Sequence, residues 1–161
     1  GGGKALIERF EQDGAIAWRG YALALGHKHV PEMQSNCGLS IAPLFSPAVI
    51  AAHRGMVVEV PLPLAAMPGV AGPDALRAAL AGFYGGSPIV VMGDTPVDGE
   101  MLLRGSQGGD DRIELFVFGN TDGSQARLVA RLDNLGKGAS GACVQNLNIM
   151  AGLPETAGLR L

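Results

Sequence analysis

Two imidazoles stand two residues apart in Gly26-His27-Lys28-His29. A histidine changes charge near pH 6.5, so a pair of them at the mouth of a strand can take up and release protons. The alternative is that one ring is a surface residue and the other buttresses the loop. The two side chains are expected to point to opposite sides of the segment, which disfavours a metal held between them. No third His or Cys completes a zinc-like spacing. A second segment, Asp133-Asn134-Leu135-Gly136-Lys137-Gly138-Ala139-Ser140-Gly141, runs a Gly-rich turn into a helix start beside Lys137. Free N–H groups and the helix dipole attract anions at such a start, though the same glycines also serve close packing. Arg54, in His53-Arg54-Gly55, is a candidate clamp for phosphate or carboxylate, or an ordinary surface arginine. Cys37 lies at a helix end, where the dipole disfavours a thiolate. Cys143 reads as a small core residue.

These residues need elements to hold them. The pattern predicts an amphipathic helix over 4–12, a strand from Trp18 to Leu25 and a short helix from Val30 to about Gly38. Strands are expected over Leu39 to Phe45 and Met56 to Leu62, the second central in its sheet because it is apolar on both faces. Pro61, Pro63 and Pro68 argue against regular structure there. Asp74 is expected to cap a helix reaching Tyr84, followed by a strand over Ile89 to Met92. Ile113 to Phe118 and Arg127 to Asp133 flank Asp122-Gly123, the signature of a hairpin. Leu128, Ala130 and Leu132 are expected on its packed face, with Val129, Arg131 and Asp133 on the wetter one. A last helix over 138–151 carries an apolar stripe of Ala139, Cys143, Leu147 and Met150. This order predicts an α+β fold with a mixed, mostly antiparallel sheet and helices on one face.

Composition narrows the function. The 161 residues are 47% hydrophobic and 17% charged, which excludes a disordered polyelectrolyte. Glycine occurs 25 times, roughly twice the usual share of about 7%. The net charge is −3 and no basic run is present, so a nucleic-acid surface is not expected. The uncharged run from Ser35 to Ala52 holds two prolines and three serines and makes a poor membrane span. Two cysteines are too few for a disulfide framework and point to a reducing cytoplasm.

Read together, Gly26-His27-Lys28-His29-Val30-Pro31-Glu32-Met33, His53-Arg54-Gly55-Met56, Gly82-Phe83-Tyr84, the run from Asp133 to Met150 and Gly152-Leu153-Pro154-Glu155 resemble N-acetyl-gamma-glutamyl-phosphate reductases. The resemblance covers the whole chain. It implies the second domain of an NADP-dependent enzyme of arginine biosynthesis, related in fold to the C-terminal domain of glyceraldehyde-3-phosphate dehydrogenase. The substrates implied are N-acetylglutamyl phosphate and phosphate, and the assembly a homodimer or homotetramer. Sister acyl-phosphate reductases, or a non-catalytic dimerisation module, are the alternatives. By motif position His27 would be the acid/base, His29 a substrate contact, Arg54 and Lys137 phosphate or carboxylate contacts. Asn134 and the loop Gly1-Gly2-Gly3 would face the nicotinamide. The family's Asn-Pro-Gly-Cys nucleophile segment does not occur in this sequence. The resemblance therefore predicts no reductase turnover by the purified 161-residue chain. Measurable NADP reduction by it would place the nucleophile within these residues.

Overall fold

The computed structural model describes residues 3–96, 98–104 and 109–161. The chain packs as two compact units, Gly1–Ala52 and His53–Leu161, and each is described by itself.

In the first unit, α1 (Gly3–Gln12) starts on Gly3, whose φ is +70°. A short antiparallel ladder follows, with β1 (Trp18–Gly20) paired to β2 (Ala48–Ile50), Trp18 opposite Ile50. Between these strands lies α2 (His29–Asn36), ended by Gly38 at φ +62°. The strand expected to reach Leu25 stops at Gly20. Ala22 (φ +54°) and Leu25 (φ +60°) adopt left-handed backbone, which closes a turn through the Leu25 N–H to Ala22 carbonyl bond of 2.9 Å. Non-glycine residues occupy that region at a cost of order 1–3 kcal/mol. The strand expected over Leu39 to Phe45 is absent; pairing begins later, at Ala48.

The second unit is built on a four-stranded sheet. β3 (Met56–Leu62) leads through a 3₁₀ turn (Leu64–Ala66) to α3 (Pro73–Phe83). Then come β4 (Val90–Met92), β5 (Ile113–Gly119) and β6 (Ala126–Leu132). A π-helical turn (Gly136–Ser140) runs into α4 (Gly141–Met150). The strand order is β3-β6-β5-β4, with only the β4–β5 pair parallel. The fold is thus α+β with an open, mixed, mostly antiparallel sheet. The β5–β6 hairpin forms as the Asp122-Gly123 signal requires, with Gly123 at φ +72° and Asn120 Oδ1 accepting the Gln125 N–H.

Several expectations change. β3 is an edge strand, not a central one. Pro61 shows why: it sits inside β3 opposite Arg127, and a proline without an N–H is tolerated at an edge. α3 is opened by Pro73 rather than capped by Asp74, which lies in its first turn. Val129, on the face expected to be wetter, is among the deepest residues of the hairpin, with Phe116 beside it. Phe116 stacks on Phe118, centroids 6.1 Å apart, and carries the Arg131 guanidinium 5.3 Å above its ring. Register puts Met56, Val58, Val60, Leu128, Ala130, Leu132, Ile113, Leu115 and Val117 on the other face, and Met56, Val58 and Val60 are exposed there. The predicted stripe of the last helix faces outward at Cys143, Leu147 and Met150, while Gly141 and Asn148 are buried.

Gly93 follows β4 with its Cα turned toward the buried Phe116, and a Cβ there would overlap the ring. The ring is confined, so overpacking of this kind costs about 1–3 kcal/mol. Gly93→Ala is expected to lower the unfolding free energy by that amount, read as a lower urea midpoint with an unchanged slope. An unaltered midpoint would mean that the Phe116 pocket yields freely.

Candidate functional site

The histidine segment is fixed by local contacts. Strand β1 ends, the left-handed turn reverses the chain, and His27 arrives half-buried just before α2. Its ring is bracketed by Phe45 (centroids 5.0 Å, edge-on) and Tyr21 (5.8 Å, edge-on). The His27 carbonyl accepts the Val30 N–H at 3.0 Å, helping to start α2. The His29 backbone N–H donates to His27 Nδ1 at 3.2 Å. His29 Nδ1 meets Glu32 Oε2 at 2.7 Å, one helical turn on. The expectation that the two rings diverge is wrong: their centroids lie 4.9 Å apart. Residues two apart on an extended chain share a face in any case, and His29 is not extended but opens α2. Glu32 is the member of this cluster that residue types alone did not single out. Its signal was the i, i+3 spacing from His29 on a helix.

The second segment gathers buried carboxylates. Arg54 donates to Asp133 Oδ2 at 2.9 Å, and next to that pair the Gly55 N–H donates to Asn134 Oδ1 at 2.7 Å. Asp133 Oδ1 accepts the Leu135 N–H at 2.9 Å. Burial alone pushes the Asp133 carboxyl up. The Leu135 and Gly136 N–H groups, Arg54 and the Asp110 N–H outweigh it and hold the carboxyl below the ordinary value of 3.8. Asp111 is 3% exposed, accepts the Arg160 N–H at 2.9 Å and lies 3.4 Å from the Arg160 guanidinium. The glycines lie against these carboxylates, and Gly136 also against the Asp110 carbonyl. A Cβ on Gly136 would stand 2.9 Å from Asp111 Oδ1 and 3.1 Å from Asp133 Oδ2, and one on Gly141 would overlap the Asp111 carboxylate. The anion at the start of α4 is therefore one of the chain's own side chains. Gly136, Gly138 and Gly141 do have the G-x-G-x-x-G spacing. It follows the second strand of an antiparallel hairpin instead of opening a βαβ unit, so the dinucleotide interpretation lacks its structural context.

Lys137 Nζ donates to Gln145 Oε1 at 2.5 Å, and Gln145 Nε2 donates to Glu155 Oε1 at 2.7 Å. Arg54, Asp133 and Asn134 are thus brought together within the second unit, with Lys137 following in the next turn. His27 and His29 are brought together in the first. Gly3 opens α1; Gly1 and Gly2 lie outside the described residues. Cys37 and Cys143 are both free and exposed. Among the described residues no three His, Cys, Asp or Glu side chains are placed to share a metal ion. Among the described residues no helix is long and apolar enough to cross a membrane.

An open mixed sheet followed by a Gly-rich turn and a closing helix, with a histidine pair in a preceding unit, defines a domain of the semialdehyde dehydrogenase class. Residues 1–134 match the family model described as semialdehyde dehydrogenase, dimerisation domain, and the chain belongs to that family. It is similar to N-acetyl-gamma-glutamyl-phosphate reductase 2 of Nostoc sp., with 45% identity over 99% of this chain and 53% of the relative. N-acetyl-gamma-glutamyl-phosphate reductase of Trichormus variabilis is 44% identical over 99% of this chain and 53% of its own length. The Burkholderia ambifaria protein of the same name is 44% identical over 95% and 50%. The chain spans about half the length of the curated relatives it matches.

Because the folded Asp133 carboxyl titrates below its ordinary value, its stabilisation is complete above about pH 4 and is lost as the pH falls through the folded value. Asp133→Asn is expected to lower stability at pH 7 and to flatten the decline below pH 4. Denaturant titrations from pH 2.5 to 7 on both proteins check this. Parallel curves would remove Asp133 from the acid transition.

Proposed function

We propose that this chain is the catalytic and dimerisation half of an NADPH-dependent N-acetyl-gamma-glutamyl-phosphate reductase, converting N-acetylglutamyl phosphate to N-acetylglutamate semialdehyde and phosphate in the cytoplasm. The observation that carries this reading is the match of nearly the whole chain, at 44–45% identity, to relatives bearing that name. The adjoining rings of His27 and His29 supply the proton-handling groups such a reaction needs. The two free, exposed cysteines fit a reducing compartment.

The chemistry divides as follows. A thiolate from a cysteine outside these residues attacks the acyl phosphate carbon, phosphate leaves, and a thioester forms. NADPH supplies the hydride that takes the thioester to the aldehyde oxidation level. In the assignment carried by the resemblance, His27 handles the proton and His29 contacts the substrate. Asn134 fits the nicotinamide side, together with Gly1, Gly2 and Gly3. With its Oδ1 engaged by the Gly55 N–H, its Nδ2 remains as a donor for a carboxamide oxygen. Lys137 uses one of three N–H groups on Gln145, and Arg54 uses one of five on Asp133. Both keep donors for a phosphate or carboxylate.

The aliphatic sheet face at Met56, Val58 and Val60 supports pairing of two copies through the sheet. Light scattering at high micromolar concentration is expected to give a dimer, and Val58→Glu to give a monomer. A monomeric unsubstituted chain would count against the pairing. For activity, the protein to assay is one that carries this chain together with the half of the Nostoc relative that it does not match. Phosphate-dependent reduction of NADP with N-acetylglutamate semialdehyde is the expected outcome. Its absence, with the semialdehyde of another amino-acid pathway accepted instead, would move the assignment to a sister reductase.

A further inference from the structure

Arg19 sits in β1 opposite Val49, and the Tyr21 N–H extends the ladder by donating to the Pro47 carbonyl at 3.1 Å. Side chains two apart on an extended chain share a face. The half-buried Arg19 and Tyr21 accordingly lie together, with the Arg19 guanidinium over the Tyr21 ring, 5.3 Å from its centre. The left-handed turn at Ala22 and Leu25 then brings His27 back against the same ring, centroids 5.8 Å apart. Arg54, Arg127, Arg131 and Arg160 each meet a carboxylate. Among the described residues no carboxylate lies within ion-pair distance of Arg19. Stacking on a ring holds a guanidinium in place and leaves its N–H donors, which lie in the guanidinium plane, free at the edge. A half-buried cation fixed in this way, with its fork empty, is arranged for a planar anion such as a carboxylate.

We propose that Arg19, stacked on Tyr21, binds the α-carboxylate of the substrate and sets the preference of the site for an N-acyl amino acid over the same chain without a carboxylate. This rests on the reductase reading, with His27 at the acyl end of the substrate. The α-carboxylate carbon is four bonds from the acyl carbon, about 5 Å when extended. With a hydrogen bond of about 3 Å at either end, the substrate bridges about 11 Å. The Arg19 guanidinium and the His27 ring are no further apart than their two distances to the Tyr21 ring laid end to end, so one substrate reaches both. The phosphate leaves from the acyl end, a tyrosine ring away from Arg19. The anionic group at the far end is the carboxylate. It does not react, so its contact with Arg19 is the same in the ground state and the transition state. Such a contact lowers KM without raising kcat.

The longer protein described above tests this with two aldehydes: N-acetylglutamate semialdehyde, and 4-acetamidobutanal, the same chain without the carboxylate. The unsubstituted protein is expected to favour the first by roughly 10–100-fold in kcat/KM, as one charge-assisted contact provides. Arg19→Gln should abolish that preference by raising KM for the semialdehyde, with kcat little changed and turnover of 4-acetamidobutanal unaltered. Arg19→Lys keeps the charge and loses the fork, so it should retain part of the preference; it serves as the test where Arg19→Gln does not fold. No preference in the unsubstituted protein, or a full preference in either variant, overturns the proposal. A raised KM for inorganic phosphate in place of the semialdehyde overturns it as well, because the phosphate would then be the group on Arg19. If the unsubstituted protein turns over neither aldehyde, the reductase reading falls, and the Arg19 Nε–H signal of the ¹⁵N-labelled longer protein decides the carboxylate site separately. That signal is expected to move on addition of N-acetylglutamate semialdehyde and to stay in place with 4-acetamidobutanal. Movement with both, or with neither, overturns the site.

Discussion

A carboxylate taken out of water costs several kcal/mol unless charged partners and N–H groups replace its hydration, and the second unit buries two. Asp111 and Asp133 are 3% and 8% exposed. Meeting their needs dictates much of the local chain. Arg54 must enter β3 beside the end of β6 to reach Asp133. The chain end must return so that the Arg160 N–H and guanidinium meet Asp111. The turn after β6 must be glycine at Gly136, where a side chain would meet the Asp110 carbonyl and both carboxylates, and at Gly141, where it would occupy the space of Asp111. One consequence reaches the proposed cofactor side. Asp133 is anchored, so the next residue, Asn134, is presented to the Gly55 N–H with its carboxamide in one orientation. The ion pair and the amide bond are successive rungs between the same two segments, and each limits the freedom of the other.

The legible parts of the fold were those written in one local code. The β5–β6 hairpin, α1 and the body of α3 announce themselves through alternation, helical spacing and turn glycines, and they stand where expected. The failures share a cause. Ala22 and Leu25 take left-handed backbone without the glycine that signals it, so the strand ending at Gly20 looked five residues longer. Counting apolar residues placed Cys143, Leu147 and Met150 inward on the last helix. The actual inward residues are a glycine and an asparagine. Gly141 lies against Asp111, and Asn148 donates to the carbonyls of Glu155 and Ala157. Periodicity cannot see an interior built from polar partners. β3 was read as central because it is apolar on both faces; the structure makes it an edge whose second apolar face is left exposed.

At the candidate sites the residue types were legible and their pairing was not. The histidines, Arg54, Asn134 and Lys137 could all be named from type and spacing. That Arg54 would spend a donor on Asp133, and Lys137 one on Gln145, depends on segments far apart in sequence or on the path of a π-helical turn. Glu32 was the opposite case: its partner is three residues away, and helical spacing alone could have found it.

That locality bears on how the first unit can orient its two histidines at all. Neither α1 nor α2 has a buried residue, and Trp18, Leu23, Leu25, Ile41 and Leu44 are exposed. A unit so poor in interior cannot lock a side chain through a packed core. The contacts that orient His27 and His29 avoid the need. One spans two residues, from a backbone N–H to the ring behind it, and the other spans three, along one helical turn. Each is enforced by the conformation that opens α2, so the helix start and the orientation of both rings form together. The aromatic brackets at Tyr21 and Phe45 then act on His27, the more buried ring. His29 is left more exposed, held by the Glu32 carboxylate rather than by packing.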